Sequence, residues 1–257
     1  MRWIRCAPRA TACSQKCPVA YFTGTVGGLM TTLGLPVKDA QGNVLKDGTF
    51  EKAERYGRLV GQLAEKALKD AVPVALSPFD IRTRELLVPV DNSIYRLAWS
   101  FGVLDRAMYL WENDPAPKKF VQIKDVSKPV AVKTEVGYLK LGELEVAAIP
   151  GEIYPEIVLN KVENPAAPGA DFPDAAIEPA IYDQMKGKHR MLIGLANDEL
   201  GYFIPKRQWG YRTGNPSCAA SALIASEGTI SKIVSKKSSP NPSAWPRISS
   251  WSLASSI

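Results

Sequence analysis

The sequence predicts an α/β protein, a mixed sheet flanked by helices, and three stretches carry that prediction. Val130 to Ile149 alternates through Val132, Val136, Tyr138, Leu139, Leu141, Leu144 and Val146, as two adjacent strands joined near Leu141-Gly142-Glu143 would. Phe50 to Ala71 sets Phe50, Ala53, Tyr56, Leu59, Val60, Leu63, Ala67 and Leu68 at helical spacing with Glu, Lys and Arg between them. That is an amphipathic helix, expected to pack on the sheet. Met191-Leu192-Ile193 is a further apolar, strand-like run that ends in a polar loop.

Taken in order, residues 1–17 carry positive charge and no acid, but lack the continuous apolar stretch of a secretory signal. They read as an atypical N-terminal segment standing where an upstream part of a domain would be. Cys6, Cys13, Cys17 and Cys218 do not form a zinc arrangement, because Cys13 and Cys17 have no second ligand pair nearby. Residues 18–210 form the candidate domain. Val19-Ala20-Tyr21-Phe22 reads as a short buried strand running into Gly24-Thr25-Val26-Gly27-Gly28, where glycines let the backbone approach a ligand closely. That loop lacks the Lys-Ser/Thr ending of a phosphate-binding loop.

Ile81 to Val90 is extended, and Asp91 caps a second helix expected to run to about Leu110, before the Asp114-Pro115-Ala116-Pro117 loop. Asn164 to Pro179, rich in Pro, Ala and Asp, is expected as a loop over the mouth of a site. Residues 211–257 are rich in Ser, Pro and Lys with Glu227 their one acid, a composition that buries too little apolar surface to order itself. Ala219 to Ile224 is a candidate short helix within them.

Over 257 residues, 46% hydrophobic and 23% charged, the composition is that of a globular protein with one substantial core or two small ones. The formal charge of +6 and pI near 9.1 come from dispersed basic residues mixed with acids, and no nucleic-acid motif accompanies them, so no nucleic-acid partner is expected. No apolar run reaches the length of a membrane span.

The chemistry concentrates at two strand ends. The run Leu144 to Ile149 breaks at Pro150-Gly151 and delivers Glu152, the first side chain past the end. Met191 to Ile193 leads through Gly194-Leu195-Ala196-Asn197 to Gly201-Tyr202. Loops beyond the carboxyl ends of strands gather ligands and catalytic groups, so a carboxylate there can bind a metal or act as a base. Two strand ends of the same kind can face one pocket.

Pro150-Gly151-Glu152, Gly194-Leu195-Ala196-Asn197 with Gly201-Tyr202, and Gly24-Thr25-Val26-Gly27-Gly28 upstream together resemble the later part of the neutral/alkaline non-lysosomal ceramidase catalytic domain. The resemblance runs over residues 18–210 and implies a zinc amidohydrolase acting on the N-acyl amide of a sphingolipid, a lipid-like amide substrate. It implies zinc ligation by Glu152 and Tyr202, alongside two upstream histidines, and substrate contacts from Gly27, Gly28, Thr31 and Asn197. It also implies secretion or an extracytoplasmic place.

Two departures accompany the match. The one histidine, His189, lies in the Lys186-Gly187-Lys188-His189-Arg190 turn on the approach to the Met191 strand, opposite the Tyr202 end. Met30 stands where the family has its nucleophilic serine, and a thioether cannot attack an amide carbonyl. The expectation is therefore an incomplete or inactive form with no catalytic residue assigned. The alternatives are a non-catalytic binding or structural protein that keeps the scaffold, and a truncated product without function.

Overall fold

The computed structural model describes residues 20–29 and 31–210. The expectations for residues 1–17, for Val19, Met30 and Cys218, and for 211–257 with its Ala219–Ile224 helix lie outside the described residues. In chain order the elements are α1 (Phe50–Lys69), β1 (Phe79–Pro89), α2 (Ser93–Ser100), β2 (Met108–Leu110), β3 (Gln122–Ile123), β4 (Val130–Leu141), β5 (Leu144–Ala148), β6 (Glu152–Ile153), α3 (Pro155–Leu159), α4 (Ile181–Gln184), β7 (His189–Ile193) and β8 (Tyr202–Phe203), with a 3₁₀ turn at Lys206–Gln208. The class is α/β, with a six-stranded mixed sheet and a separate β6–β8 pair.

β4 organises the sheet. β1 pairs with it antiparallel along its length, from Phe79↔Leu141 to Pro89↔Ala131. β5 pairs antiparallel with Gly137–Leu141 and β2 with Val130–Val132, both on the side of β4 away from β1. Among the described residues, Lys133 to Val136 therefore have no strand partner on that side. β7 adds parallel to β5, Leu144↔His189 through Ala148↔Ile193, which makes the sheet mixed.

Alternation along the strands sends one row of side chains into the core. Leu86, Val88, Val132, Val136, Ala147 and Leu192 pack there with Trp99 of α2, Val158 of α3 and Ile181 of α4. Ile149 and Ile153, which flank the Pro150-Gly151 turn, are buried in the same cluster. The turn is thus seated on the core from both sides.

Four local expectations give way. Asn92, not Asp91, caps α2, its Oδ1 accepting from Ile94 N–H (2.9 Å) and Tyr95 N–H (3.3 Å). α2 stops at Ser100, and Met108–Leu110 is a strand, because Gly102 takes φ 70° and closes a Schellman cap: its N–H donates to Trp99 O (3.0 Å) and Val103 N–H to Ala98 O (2.9 Å). Ala20–Phe22 forms no strand and is exposed; the chain meets the end of β7 at Thr23, whose O accepts from Gly194 N–H (2.8 Å).

α1 forms as expected, with Thr49 Oγ1 accepting from Lys52 N–H (3.3 Å), but it does not rest on the sheet. Its stripe stays open to solvent, Val60 43% and Leu63 66% exposed. Only Lys52 is buried, donating to Thr32 O (2.8 Å), Leu35 O (2.7 Å) and Asp47. Periodicity fixes which face of a helix is apolar and is silent about what meets it.

Candidate functional site

The site lies past the carboxyl ends of β5 and β7. Ile149 N–H donates to Ile193 O (2.9 Å), and the two chains then leave the sheet together. Leu195 N–H donates to Gly151 O (3.1 Å), Ala196 N–H to Ile149 O (3.0 Å) and Leu200 N–H to Pro150 O (3.0 Å). Leu195 at φ 53° and Asn197 at φ 67° hold left-handed conformations that non-glycine residues seldom take, so this packing over-determines the loop.

The loop then places Tyr202 beside Glu152. In β6–β8 the parallel register is Glu152↔Tyr202 and Ile153↔Phe203, with Glu152 N–H donating to Gly201 O (2.9 Å) and Tyr154 N–H to Phe203 O (3.1 Å). Register partners on neighbouring strands share a face. Ile153 and Phe203 point into the core, so Glu152 and Tyr202, both half-buried, occupy the opposite face together. Two residues fifty positions apart in the chain are adjacent in space. Tyr154, two residues on from Glu152, shares that face and meets Tyr202 edge-on, ring centroids 6.5 Å apart at 79°.

Glycines allow the close approach. Gly27 N–H donates to Ile153 O (3.0 Å), and a Cβ on Gly27 would stand 2.6 Å from Glu152 O, Ile153 C and the Tyr154 ring. Gly28 turns at φ 75° under the same ring, and a Cβ on Gly151 would stand 2.5 Å from Gly201 O. Gly27 and Gly28 thus sit directly on the Glu152–Tyr154 strand.

Thr31 and Asn197 each have a hydrogen-bond partner. Thr31 is exposed, its Oγ1 accepting from Leu33 N–H (3.2 Å), and Asn197 donates its side-chain amide to Glu135 (3.2 Å). His189 opens β7 opposite Leu144, with its N–H on Glu143 O (3.1 Å), at the far end of the strand from Gly194. The Asn164–Pro179 loop, expected over the mouth of a site, is fastened to the segment after β8. Arg207 Nε donates to Ala175 O (2.6 Å), its Nη1 to Asn164 Oδ1 (2.8 Å), and Asp171 N–H donates to Trp209 O (2.8 Å).

The structure adds residues that sequence reasoning did not single out. Glu199 accepts from Gly201 N–H (2.6 Å) and lies close enough to Glu152 to feel its charge. Burial first, then repulsion by Glu152 and Asp198, raise its pKa against the Gly201 bond. Burial would also raise Asp198, but its bonds to Arg106, Thr134 and Glu199 N–H, with the Arg106 charge, together outweigh burial and lower it. Glu199 lies between two expected site motifs, and Tyr154 follows Glu152 at the strand period of two, so their spacing was the available signal.

As a zinc site the fit is partial. Glu152 and Tyr202 offer a carboxylate and a phenol oxygen on one face, whereas catalytic zinc usually takes three protein ligands. Among the described residues, no three His, Cys, Asp or Glu side chains gather to hold a metal ion.

No protein-family model matches this chain, and no curated protein matches it. Among solved structures, the neutral ceramidase from Pseudomonas aeruginosa is similar over 63% of this chain and 29% of its own, at 16% identity and TM-score 0.32. The chain spans less than a third of that protein, and a likeness this weak assigns neither a fold nor an activity. Among the described residues, no helix is long and apolar enough to cross a membrane.

Proposed function

We propose that this chain is a ceramidase-like amidohydrolase unit in which Glu152 and Tyr202 form the oxygen-donor half of a zinc site, and that it does not hydrolyse amides alone. The observation that supports this reading is the Glu152↔Tyr202 register, which sets the two ligands implied by the sequence resemblance side by side above the Gly27–Gly28 turn. Zinc bound there would polarise an amide carbonyl. Glu152 would offer a carboxylate and Tyr202 a phenol oxygen, with Gly27 and Gly28 as contacts for an N-acyl substrate. Asn197 and Thr31 belong to this proposal as flanking substrate contacts.

The remaining donors would have to come from outside the described residues, because His189 lies at the wrong end of β7. A non-catalytic scaffold is the second reading, favoured by Met30 standing at the nucleophile position of the resemblance. Zinc calorimetry on the purified chain, with an assay of fatty-acid release from a ceramide analogue, tests the proposal. Weak zinc binding, reduced further in Glu152→Ala and Tyr202→Phe and without turnover, is expected. Zinc binding unchanged in both variants removes the metal reading and leaves the scaffold. Sub-micromolar zinc affinity with zinc-dependent turnover shows a complete site built from other residues.

A further inference from the structure

The gap that β2 and β5 leave along β4, at Lys133 to Val136, is filled by side chains from two distant loops. Arg106 Nη2 donates to Lys133 O (3.1 Å), and the guanidinium forks onto Asp198, Nη1 to Oδ1 (3.1 Å) and Nη2 to Oδ2. Thr134 Oγ1 donates to Asp198 Oδ2 (2.7 Å). The arginine and the aspartate are 92 positions apart in the chain and only partly exposed, at 34% and 23%.

From Asp198 a run of bonds leads to the site. Asp198 Oδ1 accepts from Glu199 N–H (2.9 Å), Glu199 Oε1 accepts from Gly201 N–H (2.6 Å), and Gly201 O accepts from Glu152 N–H (2.9 Å). A planar guanidinium holding both carboxylate oxygens fixes direction as well as distance, which a lysine ammonium does not.

We infer that Arg106, through Asp198 and Thr134, is the positioning residue of the Glu152–Tyr202 site: it plugs the open flank of β4 and sets the backbone of Glu199 to Gly201 that holds the two side chains in register. Arg106 touches neither Glu152 nor Tyr202 through a bond described above, and acts through the loop. The inference rests on reading Glu152 and Tyr202 as one site.

Residue-resolved amide hydrogen exchange on the full chain tests it, because a clamp acts locally and a general stabiliser does not. In Arg106→Lys, which keeps the charge and loses the fork, the Glu152 and Gly201 amides are expected to exchange at least tenfold faster than in the unsubstituted chain. The β1–β4 ladder is expected to keep its protection. Thr134→Val, which removes a single bond to Asp198, should give a smaller increase confined to the same two amides, and serves if Arg106→Lys does not fold. Unchanged exchange at Glu152 and Gly201, or an equal rise across the whole sheet, overturns the inference. Zinc titration of the same proteins separates it from the reading it rests on. A selective exchange increase in a chain whose zinc binding ignores Glu152→Ala supports the clamp and removes the metal role.

Discussion

At the scale of single residues, two glycines of one loop stand under opposite constraints. Gly24 and Gly27 are three positions apart, yet a Cβ on Gly24 meets nothing within 4 Å while one on Gly27 runs into the backbone of Glu152 and Ile153 at 2.6 Å. Gly24→Ala is therefore expected to change stability by no more than about 0.5 kcal/mol. Gly27→Ala should cost about 1–3 kcal/mol, the usual range for forcing atoms into a packed region. Urea unfolding of the two variants side by side measures the difference, and equal midpoints would mean that the Gly27 turn does not lie against β6. None of this was legible in the sequence, where both glycines read alike as loop residues. Arg106, Glu199 and Tyr154 were missed for a related reason: their partners are set by the fold, and Asp198 lies 92 positions from Arg106.

At the scale of elements, the loop after β7 carries two neighbouring carboxylates that titrate with opposite consequences. Asp198 is held below its ordinary value of 3.8, since its burial is outweighed by the Arg106, Thr134 and Glu199 N–H bonds and the Arg106 charge together. Its stabilisation is therefore present above that value and lost as pH falls through the folded-state pKa. Glu199 is raised above its ordinary 4.5, chiefly by burial and then by Glu152 and Asp198. Ionising it costs stability as pH rises from the ordinary value through the raised one. Melting temperature against pH should thus lose part of its acid-side drop in Asp198→Asn and part of its decline above the ordinary glutamate range in Glu199→Gln. Profiles parallel to that of the unsubstituted chain in both variants would show that neither carboxylate is held as described.

The same scale shows which elements a sequence can announce. The β4–β5 hairpin was legible because alternation marks a half-buried strand and Gly142 marks its turn, and α1 because its caps and period are local. The end of α2 was overrun because apolar residues continue past Gly102. Only the left-handed glycine, with the Schellman bonds around it, stops the helix there. Gly102→Ala should cost about 1 kcal/mol by urea unfolding, since the left-handed conformation penalises a Cβ by roughly 1–2 kcal/mol. An unchanged midpoint would place the helix end elsewhere.

At the scale of the molecule, stability is unevenly distributed, and α1 is where the consequence is sharpest. The sheet packs one face against α2, α3 and α4 through residues from Leu86 to Phe203, whereas α1 buries a single side chain, Lys52, at its first turn. Twenty residues of helix held at one end by Lys52 on Thr32, Leu35 and Asp47 gain little tertiary support beyond that turn. Helices in proteins draw most of their stability from tertiary packing, and Gly57 and Gly61 in its interior lower the helix propensity of α1 further. Its amides beyond Arg55 should therefore open locally and exchange at least a hundredfold faster than those of β4, which opens only when the whole core does. Lys52→Met should carry the loss of protection back to the amides of residues 52 and 53, the first of the helix to be bonded, while leaving β4 unchanged, because the acceptors that fix the first turn lose their donor. Protection of α1 equal to that of β4 would show that the Tyr56–Val60–Leu63 stripe is covered in solution. A dependence of that protection on protein concentration would then identify the cover as a second copy of the chain.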